Sequence, residues 1–244
     1  METTLDGILG QRLTLEQPRD GFRIAIDTIM LAASVAAQAG QTILDLGCGV
    51  GGAMLCLAAR APDTHVTGID IQKELIDLCQ RNIERNGLAD RAVCQNADIM
   101  HFDGHTRFDH VMMNPPYHDK KQHDVSANPV KRTANTGNKD DLGVWIETAD
   151  KALRPEGMLT LIHRADRMDE IVAEVKKYFG TVSILPLLPK EGTPAKRVLL
   201  RATKVTKTLI QHCCPIILHG TDGHFTEQAE NTLRHAYAVE FIAN

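Results

Sequence analysis

From residue 42 to residue 163, short apolar segments take turns with amphipathic ones, and that alternation leaves few folds open. Thr42–Asp45, His65–Asp70, Ala92–Gln95, Asp109–Met113 and Met158–His163 each read as a buried strand bounded by turn residues. Val182–Leu188 and Arg197–Ala202 follow in the same manner. Between them, Gly52–Arg60, Lys73–Asn86, Leu142–Leu153 and Asp166–Phe179 carry apolar residues at helical spacing. Such an order predicts an α/β fold: a mostly parallel sheet with helices on both faces. Ligands in these sheets bind beyond the carboxyl ends of the strands, so the residues just after each strand are the candidates for function.

Two stretches depart from the pattern. Residues 118–141 have little periodicity, and a loop that long is usually functional or disordered. The tail, 209–244, offers a strand at Pro215–His219, a turn at Asp222–Gly223 and a helix from about Thr226. A length of 244 residues fits one domain, divided into a lead (1–40), a core (41–203) and a C-terminal extension (204–244). No apolar run approaches the roughly 20 residues that span a bilayer. The start, Met1 to Gln17, lacks the basic and apolar regions of a signal peptide, so a cytoplasmic protein is expected. None of the six cysteines forms a C-x-x-C pair. The one His/Cys group, His212, Cys213, Cys214 and His219, lacks a second ligand pair, so no metal is expected.

The formal charge of −4 excludes a wholly basic nucleic-acid binder, yet the charge is uneven. Lys120, Lys121, Lys131, Arg132 and Lys139 face only Asp124 within residues 120–139. Lys190, Lys196, Arg197, Arg201, Lys204 and Lys207 face only Glu191 within 190–207. Two basic patches on an acidic body suit an anionic substrate if they share a face.

The first strand runs into Asp45-Leu46-Gly47-Cys48-Gly49-Val50-Gly51-Gly52 and then a helix. Glycines there permit positive φ and let a ligand approach the backbone. Gly47, Gly49 and Gly52 match G-x-G-x-x-G, with Asp70 near the spacing of a ribose acid, so a nicotinamide dinucleotide enzyme is a rival. Asp45 argues against it, because an anion beside the turn repels a pyrophosphate. S-adenosylmethionine has no phosphate and carries an ammonium and a sulfonium. Asp70 ends the next strand, where its two oxygens can accept both hydroxyl protons of a ribose, with Ile71 beside it. After the third strand, Asn96-Ala97-Asp98-Ile99 places Asp98 to accept an adenine amino group between apolar neighbours Ala97 and Ile99.

Asn114-Pro115-Pro116-Tyr117 directly follows the fourth strand. Methyl transfer from a sulfonium needs a nitrogen lone pair aimed in line at the methyl carbon, and an aryl amine or amide holds that pair in conjugation. The Asn114 side-chain oxygen and the Pro115 carbonyl can each accept one N–H, which favours the tetrahedral transition state over the planar ground state. Pro115 and Pro116 stiffen the turn. Tyr117 offers a flat face for stacking.

Together these motifs resemble the class I methyltransferases that methylate amino groups, over roughly residues 20–203. The resemblance implies a Rossmann-like sheet of seven strands with the last antiparallel, and S-adenosyl-L-methionine as cofactor. It assigns Asp45, Gly47, Gly49, Gly51, Asp70, Ile71, Ala97, Asp98 and Ile99 to cofactor binding and Asn114 to Tyr117 to catalysis. Asp20-Gly21-Phe22-Arg23 and Ile26-Asp27-Thr28-Ile29-Met30-Leu31-Ala32 are similar to the start of the bacterial valine tRNA adenine N(6)-methyltransferases. Ile26 and Thr28 depart from that family, many members of which have threonine and glycine around the acid. The likeness implies a lead that covers the cofactor, with Asp27 near its methionine end, and an RNA partner, tRNA. Lys120, Lys121, Lys131, Arg132, Lys196 and Arg197 are the candidates for backbone phosphates. Alternatives are a protein glutamine methyltransferase, an rRNA guanine N(2)-methyltransferase and a non-catalytic RNA-binding module.

Overall fold

Along β3 (Thr42–Leu46) the side chains alternate between two cores, as a strand's period of two requires. Ile43 packs into one cluster, while Leu44 and Leu46 pack into the other. The computed structural model describes residues 1–21, 23–104, 107–117, 141–205 and 209–244. The first cluster gathers α1 (Ile26–Ser34), α2 (Gly52–Arg60) and α3 (Lys73–Arg85). The second gathers α4 (Asp141–Ala152) and α5 (Met168–Val175).

β4 (His65–Asp70) and β5 (Ala92–Asn96) extend the sheet on one side of β3. On the other side lie β6 (Phe108–Met113), β7 (Leu153–Arg164), β9 (Arg197–Thr203) and β8 (Thr181–Lys190). Of these, β9 alone runs antiparallel to its neighbours. This matches the mostly parallel sheet expected, with one correction: β10 (Leu209–His212) and β11 (Ile216–His219) both pair with β8 in parallel. Among the described residues the sheet therefore has nine strands rather than seven. No helix among the described residues is long and apolar enough to cross a membrane.

The lead begins with a hairpin, β1 (Thr3–Ile8) with β2 (Leu13–Pro18), that docks on α3. Fully buried Asn82 does the joining. Its Oδ1 accepts from the Glu16 N–H (2.7 Å), and its Nδ2 donates to the carbonyls of Glu16 (2.9 Å) and Val50 (3.0 Å). One side chain thus ties the hairpin to the glycine turn, and neither of its own polar atoms is left unpaired.

Arg60 donates to the carbonyls of Ala32 and Val35, and Arg201 to that of Ser34 (2.6 Å), so two cations meet the negative end of α1. Arg201 also donates to Val239 and lies 4.0 Å from the Phe241 ring centroid, which fastens the tail beyond α6 (Glu227–His235). Arg201 is therefore no part of a basic surface patch, and Lys204, just past the end of β9, is engaged by Asp150. β9 spreads these charges across the sheet instead of gathering them.

Burial holds the His110 and His163 imidazoles neutral, pushing each down to about 4 from 6.5. Such a group takes up its proton more readily in the unfolded chain, so it destabilises the fold as pH falls from 6.5 towards 4. Relative to the unsubstituted protein, His110→Gln is expected to gain about 2 kcal/mol on going from about pH 7.5 to pH 5. Urea unfolding of both proteins at the two pH values measures this; an unchanged difference rules the assignment out.

Candidate active site

Two turns leave the sheet side by side. Because β3 pairs with β6 in parallel and Leu46 lies opposite Met113, the glycine turn from Gly47 and the turn from Asn114 emerge at the same edge. These are the two motifs that the sequence expectation requires to meet.

Gly47 has φ +72°, and a Cβ there would come within 2.5 Å of the Trp145 ring. Gly49 has φ +55°, and nothing lies within 4 Å of where its Cβ would be, so a ligand can approach the main chain there. The Gly49 N–H donates to Asp70 Oδ2 (3.0 Å), and the Gln72 N–H donates to Oδ1 (2.8 Å). Asp70 thus holds the turn at the tip of β4 while each oxygen keeps a further lone pair for a hydroxyl. Burial raises its pKa, against those two donors.

The Asn96 side chain bonds the carbonyls of Asp70 and Ile71, and the Ala97 N–H bonds Asp70 as well. These contacts gather Asp70, Ile71 and Ala97 at the tips of β4 and β5, with Ile71 exposed. Asp98 accepts from the Met100 N–H and so caps the short 3-10 turn Ile99–His101. An open glycine backbone, a buried acid with spare lone pairs and an exposed apolar side chain beside it fit an adenosyl group.

Asp45 sits below the turn, 2% exposed, accepting from the Met54 N–H (3.2 Å) at the start of α2. Burial pushes its carboxyl up to about 8, with Asp70 adding to the rise. From its position in the sequence it is expected to be a fixed anion beside the ligand. Desolvation corrects this: at neutral pH the buried group retains its proton much of the time and anchors the helix start.

At the other turn, the Tyr117 hydroxyl donates to Asn114 Oδ1 (2.7 Å) and lies 3.5 Å from Asp27 Oδ2. Asp27, in the first turn of α1 and not its cap, also accepts from Arg197 Nε (2.6 Å). The guanidinium carbon of Arg197 is 5.1 Å from the Tyr117 ring centroid. The His163 ring meets the tyrosine edge-on at 4.8 Å, itself 1% exposed. Burial raises the Tyr117 hydroxyl well above its usual range, so it remains a donor.

Two expectations change here. The face of Tyr117 is covered by Arg197, and Arg197 is engaged by Asp27 instead of standing free for phosphate. Lys196 beside it is exposed, whereas Lys120, Lys121, Lys131 and Arg132 lie outside the described residues. The sequence reading missed three contributors. Asn82 was detectable as a polar residue on the apolar stripe of Cys79 and Ile83. His163 closes the apolar run of β7, and Trp145 is the sole tryptophan. No group of side chains that could hold a metal occurs among the described residues.

The model of the methyltransferase small domain matches residues 23–186. A tRNA1(Val) (adenine(37)-N6)-methyltransferase of Vibrio cholerae is 30% identical over 152 residues, 62% of this chain and 62% of that protein's length. One from Phocaeicola vulgatus is 25% identical, covering 96% of this chain and 93% of its own. Among solved structures, a predicted O-methyltransferase from Agrobacterium tumefaciens superposes with a TM-score of 0.73 at 27% identity, over 88% of this chain and 98% of that one.

Proposed function

The chain belongs to the methyltransferase small domain family, and from that premise we propose that it is an S-adenosylmethionine-dependent methyltransferase that methylates the exocyclic N6 amino group of an adenine in RNA, specifically tRNA. The observation that carries the proposal is the pairing of Leu46 with Met113, which sets the Asn114 turn beside the glycine turn. The named activity of the Vibrio and Phocaeicola relatives supports the choice of acceptor.

Bound cofactor supplies an electrophilic methyl carbon on sulfur. The chain supplies orientation. Asp70, Ile71, Ala97 and Asp98 would hold the adenosyl portion, the backbone of Gly47 to Gly51 would receive its methionine portion, and Asp27 would stand near that end. Asn114 Oδ1 has a lone pair beyond the one bonded to Tyr117, and it accepts one amine proton while the Pro115 carbonyl accepts the other. The two acceptors would thereby orient the amine with its lone pair towards the cofactor's methyl group, and positioning of this kind would supply much of the acceleration. No strong base is needed, since the proton departs after transfer. An oxygen acceptor, suggested by the Agrobacterium protein's description, has one proton and would use one of the two carbonyls only.

Incubation of tRNA, rRNA and RNA-free protein extract with the enzyme and labelled cofactor tests the proposal, read by nucleoside mass spectrometry. Label as N6-methyladenosine from tRNA is expected. Label as N2-methylguanosine, or in protein alone, contradicts it.

A further inference from the structure

Resting on that RNA reading, we infer that Arg197 is a gate on the acceptor pocket, latched by Asp27 and released by a phosphate of the RNA. A base stacked between two flat groups keeps about 3.4 Å from each and needs about 7 Å between them. Arg197 stands 5.1 Å from the Tyr117 centroid, so a base and this guanidinium cannot share the face as they stand. His163 packs edge-on against the tyrosine, so the ring has no room to tilt away on that side. The group that moves is Arg197.

Its movement has a cost that depends on the ligand. The Arg197–Asp27 bond is charge-assisted at 2.6 Å, and the two side chains are only 33% and 23% exposed. Leaving that partner without a replacement anion is unfavourable for a half-buried guanidinium. Arg197 begins β9, at the same sheet edge as the end of β7, with exposed Lys196 before it. A phosphodiester flanking an extruded nucleotide supplies the replacement anion there, whereas a free nucleoside brings none. The latch therefore admits an adenine that belongs to a polynucleotide and resists the same base as free adenosine. It draws on three distant chain segments: Asp27 of the lead, Asn114 and Tyr117 after β6, and Arg197 of β9.

The test compares binding of adenosine and of an adenosine-containing RNA stem-loop across a salt series. Arg197→Gln removes both the stacked cation and the phosphate ligand. It is expected to bind adenosine about tenfold more tightly than the unsubstituted protein. Its RNA affinity is expected to fall, with the log–log salt slope smaller by about one. Asp27→Asn cuts the latch and keeps the cation, so adenosine binding rises while the salt slope stays, a pattern that misfolding does not produce. Unchanged adenosine affinity in both variants, or a full salt slope in Arg197→Gln, overturns the gate. Failure of the unsubstituted protein to bind the RNA at any salt overturns the RNA reading instead.

Discussion

Asn114→Ala is expected to slow methyl transfer by about a thousandfold or more while S-adenosylmethionine still binds within about threefold of its normal affinity. The size of the loss follows from what the amide oxygen does. It accepts a proton from a nitrogen that is becoming tetrahedral, so its bond strengthens as the reaction proceeds and contributes to rate more than to binding. The split between rate and affinity follows from placement. Asn114 is bonded to Tyr117, whereas Gly49 and Asp70, the proposed cofactor anchors, lie at the neighbouring turn. Single-turnover kinetics with calorimetry separates the two effects. A variant with normal turnover removes Asn114 from the chemistry. Tyr117→Phe keeps the ring and loses the bond that orients the amide, together with the longer contact to Asp27.

Asp70→Ala is expected to weaken cofactor binding by about a hundredfold, close to 3 kcal/mol. The carboxylate carries two tasks. Its oxygens hold the N–H groups of Gly49 and Gln72, and the lone pairs left over are those proposed to receive the ribose hydroxyls. Alanine removes the ribose acceptors and leaves the turn without its tie at the tip of β4. Calorimetry gives the affinity, and a cooperative thermal transition shows that the domain still folds. Affinity within about threefold of normal would contradict the assignment.

The parallel sheet and its strand ends were legible because burial on both faces leaves apolar runs that the turn residues interrupt. Phe108–Met113 and His65–Asp70 fall where their composition places them. The hairpin 3–18 was not legible: its strands mix Glu, Asp, Thr and Gln with apolar residues, and its docking on the domain runs through Asn82, 66 residues from Glu16. β10 is short and largely exposed, so no apolar run announces it. The site divides in the same way. Glycines and prolines reveal turns because their backbone constraints are intrinsic. Arg197 was read as one of several surface cations, since its partners Asp27 and Tyr117 come from other parts of the chain and only the fold brings them together. Asp45 stands at the glycine turn as its sequence position implies, but burial raises its carboxyl towards the protonated form, and the sequence does not reveal desolvation.

A bisubstrate compound that links adenosine N6 through a methylene to the cofactor's sulfur position, solved in complex with this protein, is the most direct test of the paired-carbonyl mechanism. The expected result is the N6 nitrogen within about 3 Å of both Asn114 Oδ1 and the Pro115 carbonyl, with a ribose on Asp70. A complex in which that nitrogen touches neither carbonyl would contradict the mechanism.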